Sequence, residues 1–300
     1  MEWITGIQNA IDYIEAHLTE PIDYELVAKE SFSSSYHFQR VFSILSGYTL
    51  GEYIRNRRLS LAGAELATGK EKVIDIAAKY GYESPDSFAK AFQKFHGITP
   101  SQARSGGVTL KNFSRLSLKI SLEGGNVMEY RIVEMEELVL TGFKRRFAGT
   151  PENRQRQDHD MAVSTRMLQY VLQGFAHDCD TVYEVIGNVG DDGYDYYIAS
   201  WIPERFRNDF EEDLGDFCKQ YERITIPAGR YLVCETEKCR YPTELIGDLR
   251  RKAVTEWLPS AGYELADTPE FDIVHWFYKY GDENVNASRY TELWLPITKK

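Results

Sequence analysis

Ser34-Ser-Tyr-His-Phe-Gln-Arg-Val-Phe-Ser-Ile-Leu45 reads as a helix with two distinct faces. Phe38, Val41, Phe42 and Leu45 fall at i, i+3, i+4 and i+7, an apolar stripe for a core. Tyr36, Gln39 and Arg40 fall at i, i+3 and i+4 on another face, so they point the same way. An aromatic ring, an amide and a guanidinium together supply donors and acceptors that read base edges in a major groove. Solvated basic helices carry the same pattern, so the helix alone leaves both readings open.

A second copy resolves the choice. Shifting the chain by fifty residues pairs Ala28-Lys29 with Ala78-Lys79, Ser34 with Ser84, and Phe38 and Phe42 with Phe88 and Phe92. It also pairs Gly47 with Gly97 and Thr49 with Thr99, with no gap. Each copy predicts a short apolar helix, a turn, a serine N-cap, an aromatic-cored second helix and a terminating glycine. That is a helix-turn-helix, present twice, with a long helix from about 50 to 68 between the copies. By the same offset Tyr36, Gln39 and Arg40 map onto Asp86, Ala89 and Lys90, so the second copy keeps a cation but loses the aromatic and the amide, which favours phosphate contact over base reading. An acid at 86 repels phosphate, though it can accept from cytosine N4.

Ile54-Arg-Asn-Arg-Arg-Leu59, Ile74-Asp-Ile-Ala-Ala78, Tyr80-Gly-Tyr-Glu-Ser84, Phe88-Ala-Lys-Ala-Phe92 and Gly97-Ile-Thr-Pro-Ser101 resemble the DNA-binding domain of the AraC/XylS family. The resemblance covers roughly residues 5–105. It implies two recognition helices in successive major grooves, with Tyr36, Gln39 and Arg40 contacting DNA from the first and Asp86, Ser87 and Lys90 from the second.

Charge runs against simple nucleic-acid binding. The chain carries −11 overall, but residues 1–106 hold 11 Lys/Arg against 13 Asp/Glu, so most of the acid lies beyond them. A near-neutral DNA-binding unit has to rely on local clusters, for which Arg55, Arg57 and Arg58 are candidates. The four cysteines lack metal-ligand spacing and read as reduced thiols, with no metal or cofactor expected. No signal peptide or apolar span is read, so a cytoplasmic protein without membrane contact is expected.

Ser105-Gly-Gly107 marks a boundary between residues 1–106 and 107–300. Beyond it the period becomes alternating. A hairpin is predicted from Leu116 through Gly124-Gly125 to Val133, then strands at 138–147, 181–189, 194–202, 230–235, 271–280 and 289–296, with helices at 161–175 and 242–258. An offset of 93 pairs Leu138 with Tyr231, Gly190-Asp191 with about Gly281-Asp282, and the strand Tyr197–Pro203 with Tyr290–Pro296. Within that last pair Ala199 corresponds to Glu292. The fold class predicted is therefore multidomain: an all-α double helix-turn-helix domain followed by an α+β domain of two pseudo-symmetric β-α-β-β repeats.

Alternation places Tyr290, Glu292 and Trp294 on one strand face. An anion among rings suits a lipophilic cation or a polyhydroxylated ring. Gly125-Asn-Val-Met-Glu-Tyr-Arg-Ile132, Ile226-Pro-Ala-Gly-Arg-Tyr231 and Glu292-Leu-Trp-Leu-Pro296 are similar to GyrI-like (SHS2-type) effector-binding domains, found in multidrug-sensing regulators and Rob-type AraC proteins. That resemblance implies a ligand cleft at Glu292, with Trp201, Tyr231, Trp257, Trp276, Tyr290 and Trp294 as candidate walls; for Trp257, beside Leu258, a core position is the stronger reading. The chain then reads as a sequence-specific DNA-binding regulator, not an enzyme. Its partners would be operator DNA, a small effector and RNA polymerase. The alternative is a GyrI-like hydrolase tethered to a DNA-binding module, with Glu292 as general base or charge stabiliser. No GxSxG, HExxH or phosphate loop supports it.

Overall fold

The computed structural model describes residues 2–105, 107–118, 128–277 and 287–299. The chain folds as two compact units, residues 1–42 with 48–122, and residues 43–47 with 123–300.

The helical unit runs α1 (Glu2–Ala16), α2 (Tyr24–Glu30), α3 (Ser35–Ser46), α4 (Leu50–Ala67), α5 (Val73–Lys79), α6 (Pro85–His96) and α7 (Pro100–Arg104). The fifty-residue echo recurs in the local chemistry that starts and stops these helices. Ser34 accepts the His37 N–H at 3.3 Å, and Ser84 accepts the Ser87 N–H at 3.1 Å. Thr49 closes a capping box with Glu52, and Thr99 closes one with Gln102. Each box satisfies two N–H groups that a helix start leaves unpaired. Gly47 and Gly97 both sit at positive φ, where a side chain would be strained. Phe38, Phe42, Phe88 and Phe92 are all buried.

The hairpin predicted from Leu116 to Val133 lies partly outside the described residues, its Gly124-Gly125 turn included, and its described start, residues 116–118, is not a strand. Residues 107–118 instead lie extended against the helices. The Arg57 guanidinium donates to the Phe113 carbonyl at 2.6 Å, the Tyr53 hydroxyl accepts from the Leu116 N–H at 3.2 Å, and Gln8 accepts from Leu118. Asn112 and Phe113 both engage the Ser60 hydroxyl.

Two arginines expected to serve as a basic cluster are internal staples. Arg57 is buried and grips both Glu15 oxygens at 2.7–2.8 Å. Arg58 donates to the carbonyls of Leu18 and Glu20. Arg55 alone of the three is exposed.

The second unit is one antiparallel sheet with helices α8 (Gln155–Ser164), α9 (Arg166–Phe175), α10 (Glu204–Leu214) and α11 (Ile246–Lys252). Its strands are β1 (Tyr130–Met135), β2 (Leu138–Phe147), β3 (Thr181–Gly190), β4 (Gly193–Ser200), β5 (Glu222–Ile226), β6 (Gly229–Glu235), β7 (Tyr263–Leu265), β8 (Glu270–His275) and β9 (Tyr290–Lys299). The order is β1-β6-β9-β8-β3-β4-β2-β5, with β7 on the end of β9. Apart from the short β7, each half is therefore β-β-α-β-β rather than β-α-β-β, and the halves exchange their first strands. β1 pairs with β6 of the second half, and β5 with β2 of the first. The equivalence of Leu138 and Tyr231 holds in the registers: Leu138 faces Ile226, and Tyr231 faces Val133. The Gly281-Asp282 match lies outside the described residues.

The helix expected at 161–175 is broken at Thr165. The Ser164 and Thr165 hydroxyls bond back to the Met161 carbonyl and compete with the helical ladder. The helix expected at 242–258 is also interrupted. A 3-10 turn leads into α11, and a π-helical turn, Ala253–Trp257, follows it.

One sheet face packs under the helices, with Phe143, Phe147, Tyr194, Tyr196 and Ile198 against Met161, Leu172 and Phe210. That layer also buries charge. Arg154 lies 2.6 Å from Asp272 and 3.2 Å from Glu184, and Arg250 lies 2.6 Å from Glu270 and 3.3 Å from Glu152. Each arginine is tolerated in that dry interior because it meets a carboxyl partner, Asp272 for Arg154 and Glu270 for Arg250.

Candidate functional site

In an antiparallel sheet, residues directly opposite one another share a face. The registers therefore define two rows across the other side of the sheet. One runs Glu235, Glu292, Ile273, Tyr183, Ala199, Gly142. The next, two residues along each strand, runs Arg131, Val233, Trp294, Phe271, Val185, Tyr197. Glu292 thus stands between the charged side chains of Glu235 and Arg131 and the aromatic and aliphatic middle of the surface.

Its surroundings are specific. The Trp294 ring stacks on Phe271 with centroids 5.2 Å apart, and Tyr231 meets both at 5.6 and 6.0 Å. The Trp294 indole N–H donates to Glu292 Oε2 at 3.0 Å. His275 Nε2 lies 3.1 Å from Oε1, and its imidazole stacks on Tyr290 at 4.2 Å. Arg131 reaches from β1 to place Nη2 2.5 Å from Oε2. Burial alone would raise the Glu292 carboxyl. The His275 hydrogen bond, the Arg131 charge and the Trp294 N–H outweigh it and hold the group below its usual range. Burial, and then the Glu292 charge, push the Tyr183 phenol up.

Of the ring residues singled out in the sequence, Tyr231, Tyr290 and Trp294 gather with Glu292, and three do not. Trp257 stacks on Tyr263 and meets Tyr130, whose neighbour Arg131 points to the opposite face. Trp276 packs with the helix-side core, beneath the Arg289 guanidinium. Trp201 lies beyond the end of β4 against His177. The sequence reading passed over His275, Phe271, Tyr183 and Arg131. Alternation along 271–275 could have placed Phe271 and His275 on the Glu292 face. Arg131 needed the strand exchange.

On the helical unit, Asp86, Ser87 and Lys90 lie on the exposed face of α6, along with Gln93 and Lys94. Tyr36 and Gln39 on α3 are half-buried, and Gln39 donates to the Ser35 hydroxyl at 3.2 Å. Arg40 is buried, at 3 % exposure. No helix among the described residues is long and apolar enough to cross a membrane.

Residues 27–106 match the family described as a helix-turn-helix domain. Residues 131–297 match the integron-associated effector binding protein family, Cass2. The regulatory protein SoxS of Salmonella typhimurium is 42% identical over 98 residues, 33% of this chain and 92% of SoxS. The transcriptional regulator Rob of the same organism is 30% identical over 159 residues, 52% of this chain and 54% of Rob. Among solved structures, the integron cassette protein of Vibrio cholerae aligns over 56% of this chain and 95% of its own, at 16% identity and a TM-score of 0.38. The chain belongs to the integron-associated effector binding protein family through its sheet unit and, through its helical unit, to the AraC-type helix-turn-helix regulators, and it is a DNA-binding regulator with an effector-binding domain.

Proposed function

We propose that this chain is a one-component cytoplasmic regulator whose sheet unit binds a lipophilic cation at Glu292. The effector changes how the helical unit engages operator DNA or RNA polymerase. Tyr36, Gln39 and Arg40 read bases from α3, and Asp86, Ser87 and Lys90 contact DNA from α6, Lys90 mainly through phosphate. Because Arg40 is buried, base reading by its guanidinium requires that side chain to emerge.

The observation that carries the ligand reading is the ionised Glu292 set among Tyr231, Phe271, Trp294 and Tyr290. A carboxylate supplies charge and the rings supply π-faces, which together suit a flat or spherical organic cation. The same geometry argues against catalysis. An efficient general base titrates near the operating pH, whereas Glu292 is held low and engaged by three donors. A thermal-shift series with tetraphenylphosphonium tests the reading: the cation should raise the melting temperature of the native chain and not of Glu292→Gln. Mass spectrometry of an incubated ester or amide cation showing turnover that Glu292→Gln abolishes would favour the hydrolase instead.

A further inference from the structure

Arg131 makes the same contacts that the site would offer a bound cation. Its Nη2 sits 2.5 Å from Glu292 Oε2, and its Cζ lies 6.0 Å from the Trp294 ring. The second arm, Nη1, lies 2.5 Å from Glu235 Oε1. We propose that Arg131 is a tethered occupant of the effector site, so that an incoming cation binds by exchange with the chain's own guanidinium. The inference rests on the cationic reading of Glu292 given above.

Three features support exchange over a permanent ion pair. The first is an asymmetry of exposure: the Arg131 side chain is 45% exposed and that of Glu292 only 12%. A buried carboxylate left without a cation is costly, while a half-exposed guanidinium returns to water at little cost. Glu292 therefore keeps a cation in both states, and only the cation's identity changes. Second, among the described residues β1 is a sheet edge that pairs with β6 alone, so the strand carrying Arg131 is held by them on one side only. Third, Arg131 and Glu235 also line a cavity of about 660 Å³ where Glu129, Glu237, Asp248 and Glu256 outnumber the one further cation of its lining, Lys252. Those carboxylates receive the guanidinium when it leaves Glu292.

The pseudo-symmetry of the sheet confines this device to one half. Where the second half pairs Glu235 with Glu292, the first pairs Gly142 with Ala199. Among the described residues no buried carboxylate therefore matches Glu292 at the other end of the surface, where an exposed Lys144–Glu222 ion pair lies beside the Tyr197 ring. Exchange also sets selectivity. A small hydrophilic cation gains nothing over Arg131 at Glu292, whereas a cation with large aromatic area adds contacts with Trp294, Phe271 and Tyr231 that a guanidinium cannot match.

Isothermal titration of tetraphenylphosphonium into the full chain tests the proposal, because that ion has a fixed charge at every pH. Arg131→Gln should tighten binding by about threefold or more, with Arg131→Lys intermediate. Glu292→Gln should weaken it by about tenfold or more, in either Arg131 background. Triphenylphosphine oxide, a neutral analogue, should gain less than the cation from Arg131→Gln. Glu292-dependent binding with unchanged or weaker affinity in Arg131→Gln overturns the exchange and leaves the cation site standing. Equal gains for the cation and the neutral analogue also overturn it, since occupancy would then be steric. Absence of binding by both the native chain and Arg131→Gln overturns the cation reading itself. Thermal denaturation of each variant confirms that a folded protein is being titrated.

Discussion

His275 on β8 and Glu292 on β9 meet side chain to side chain, Nε2 to Oε1 at 3.1 Å, with the imidazole stacked on the Tyr290 ring. The histidine thus orients the carboxylate while the tyrosine orients the histidine. Because the folded pKa of Glu292 is lowered, its ionised form persists as the medium is acidified. Tetraphenylphosphonium affinity should stay flat from pH 8 down to about 5 and fall only once pH drops through that lowered value. In His275→Ala the fall should begin at higher pH. A titration series across pH, with a melting temperature at each point, measures both.

Gly63 of α4 and His96 of α6 touch so closely that a methyl group at 63 would stand 2.7 Å from the imidazole. Helix propensity favours Ala over Gly by about 1 kcal/mol. Overpacking should outweigh it and leave Gly63→Ala destabilised by about 1–2 kcal/mol. Chemical denaturation checks the sign, and adding His96→Ala should recover part of the loss.

The same histidine links α4 to the extended segment. Its Nε2 lies 2.9 Å from the Leu59 carbonyl, and its Nδ1 accepts the Lys111 N–H at 3.2 Å, which requires a neutral ring. Burial lowers its pKa, against the opposing pull of the Leu59 carbonyl. In the unfolded chain the ring protonates near pH 6.5. Below that pH the unfolded state binds more protons, so stability should decline toward the lowered folded value. His96→Gln should flatten that part of the stability profile of the full chain.

Glu184 behaves in the opposite sense. Burial, followed by Asp158, raises its carboxyl to about 8 against the pull of Arg154. The folded state therefore holds a proton that the unfolded state has lost above about pH 4.5. Stability should fall as pH rises from there to about 8. Glu184→Gln keeps a neutral side chain at every pH. Relative to the native chain it should gain stability at pH 8 compared with pH 5, as read by denaturant midpoints.

The two reading faces should differ in kind. Lys90→Ala should weaken all DNA alike and reduce the slope of log affinity against log salt by about 1. Gln39→Ala should cost about 1–3 kcal/mol on the cognate operator and little on unrelated duplex. Gel-shift titrations at three salt concentrations separate the outcomes.

The sequence by itself determined the parts of this protein governed by neighbours a few residues apart. Ser34 and Ser84, Thr49 and Thr99, and Gly47 and Gly97 start or stop helices through bonds spanning at most four residues, so their fifty-residue echo is legible without coordinates. Alternation likewise marked Tyr290, Glu292 and Trp294 as sharing a face. Only the tertiary structure decided that β1 and β5 change halves, because edge pairing between strands about a hundred residues apart leaves no local periodicity. That exchange brought Arg131 across to Glu292. It also fell to packing that Trp201, Trp257 and Trp276 lie elsewhere, that Arg57 and Arg58 are staples, and that residues 107–118 bind the helices. Apolar and cationic side chains announce what they can do, but the partners that use them are set by long-range contacts.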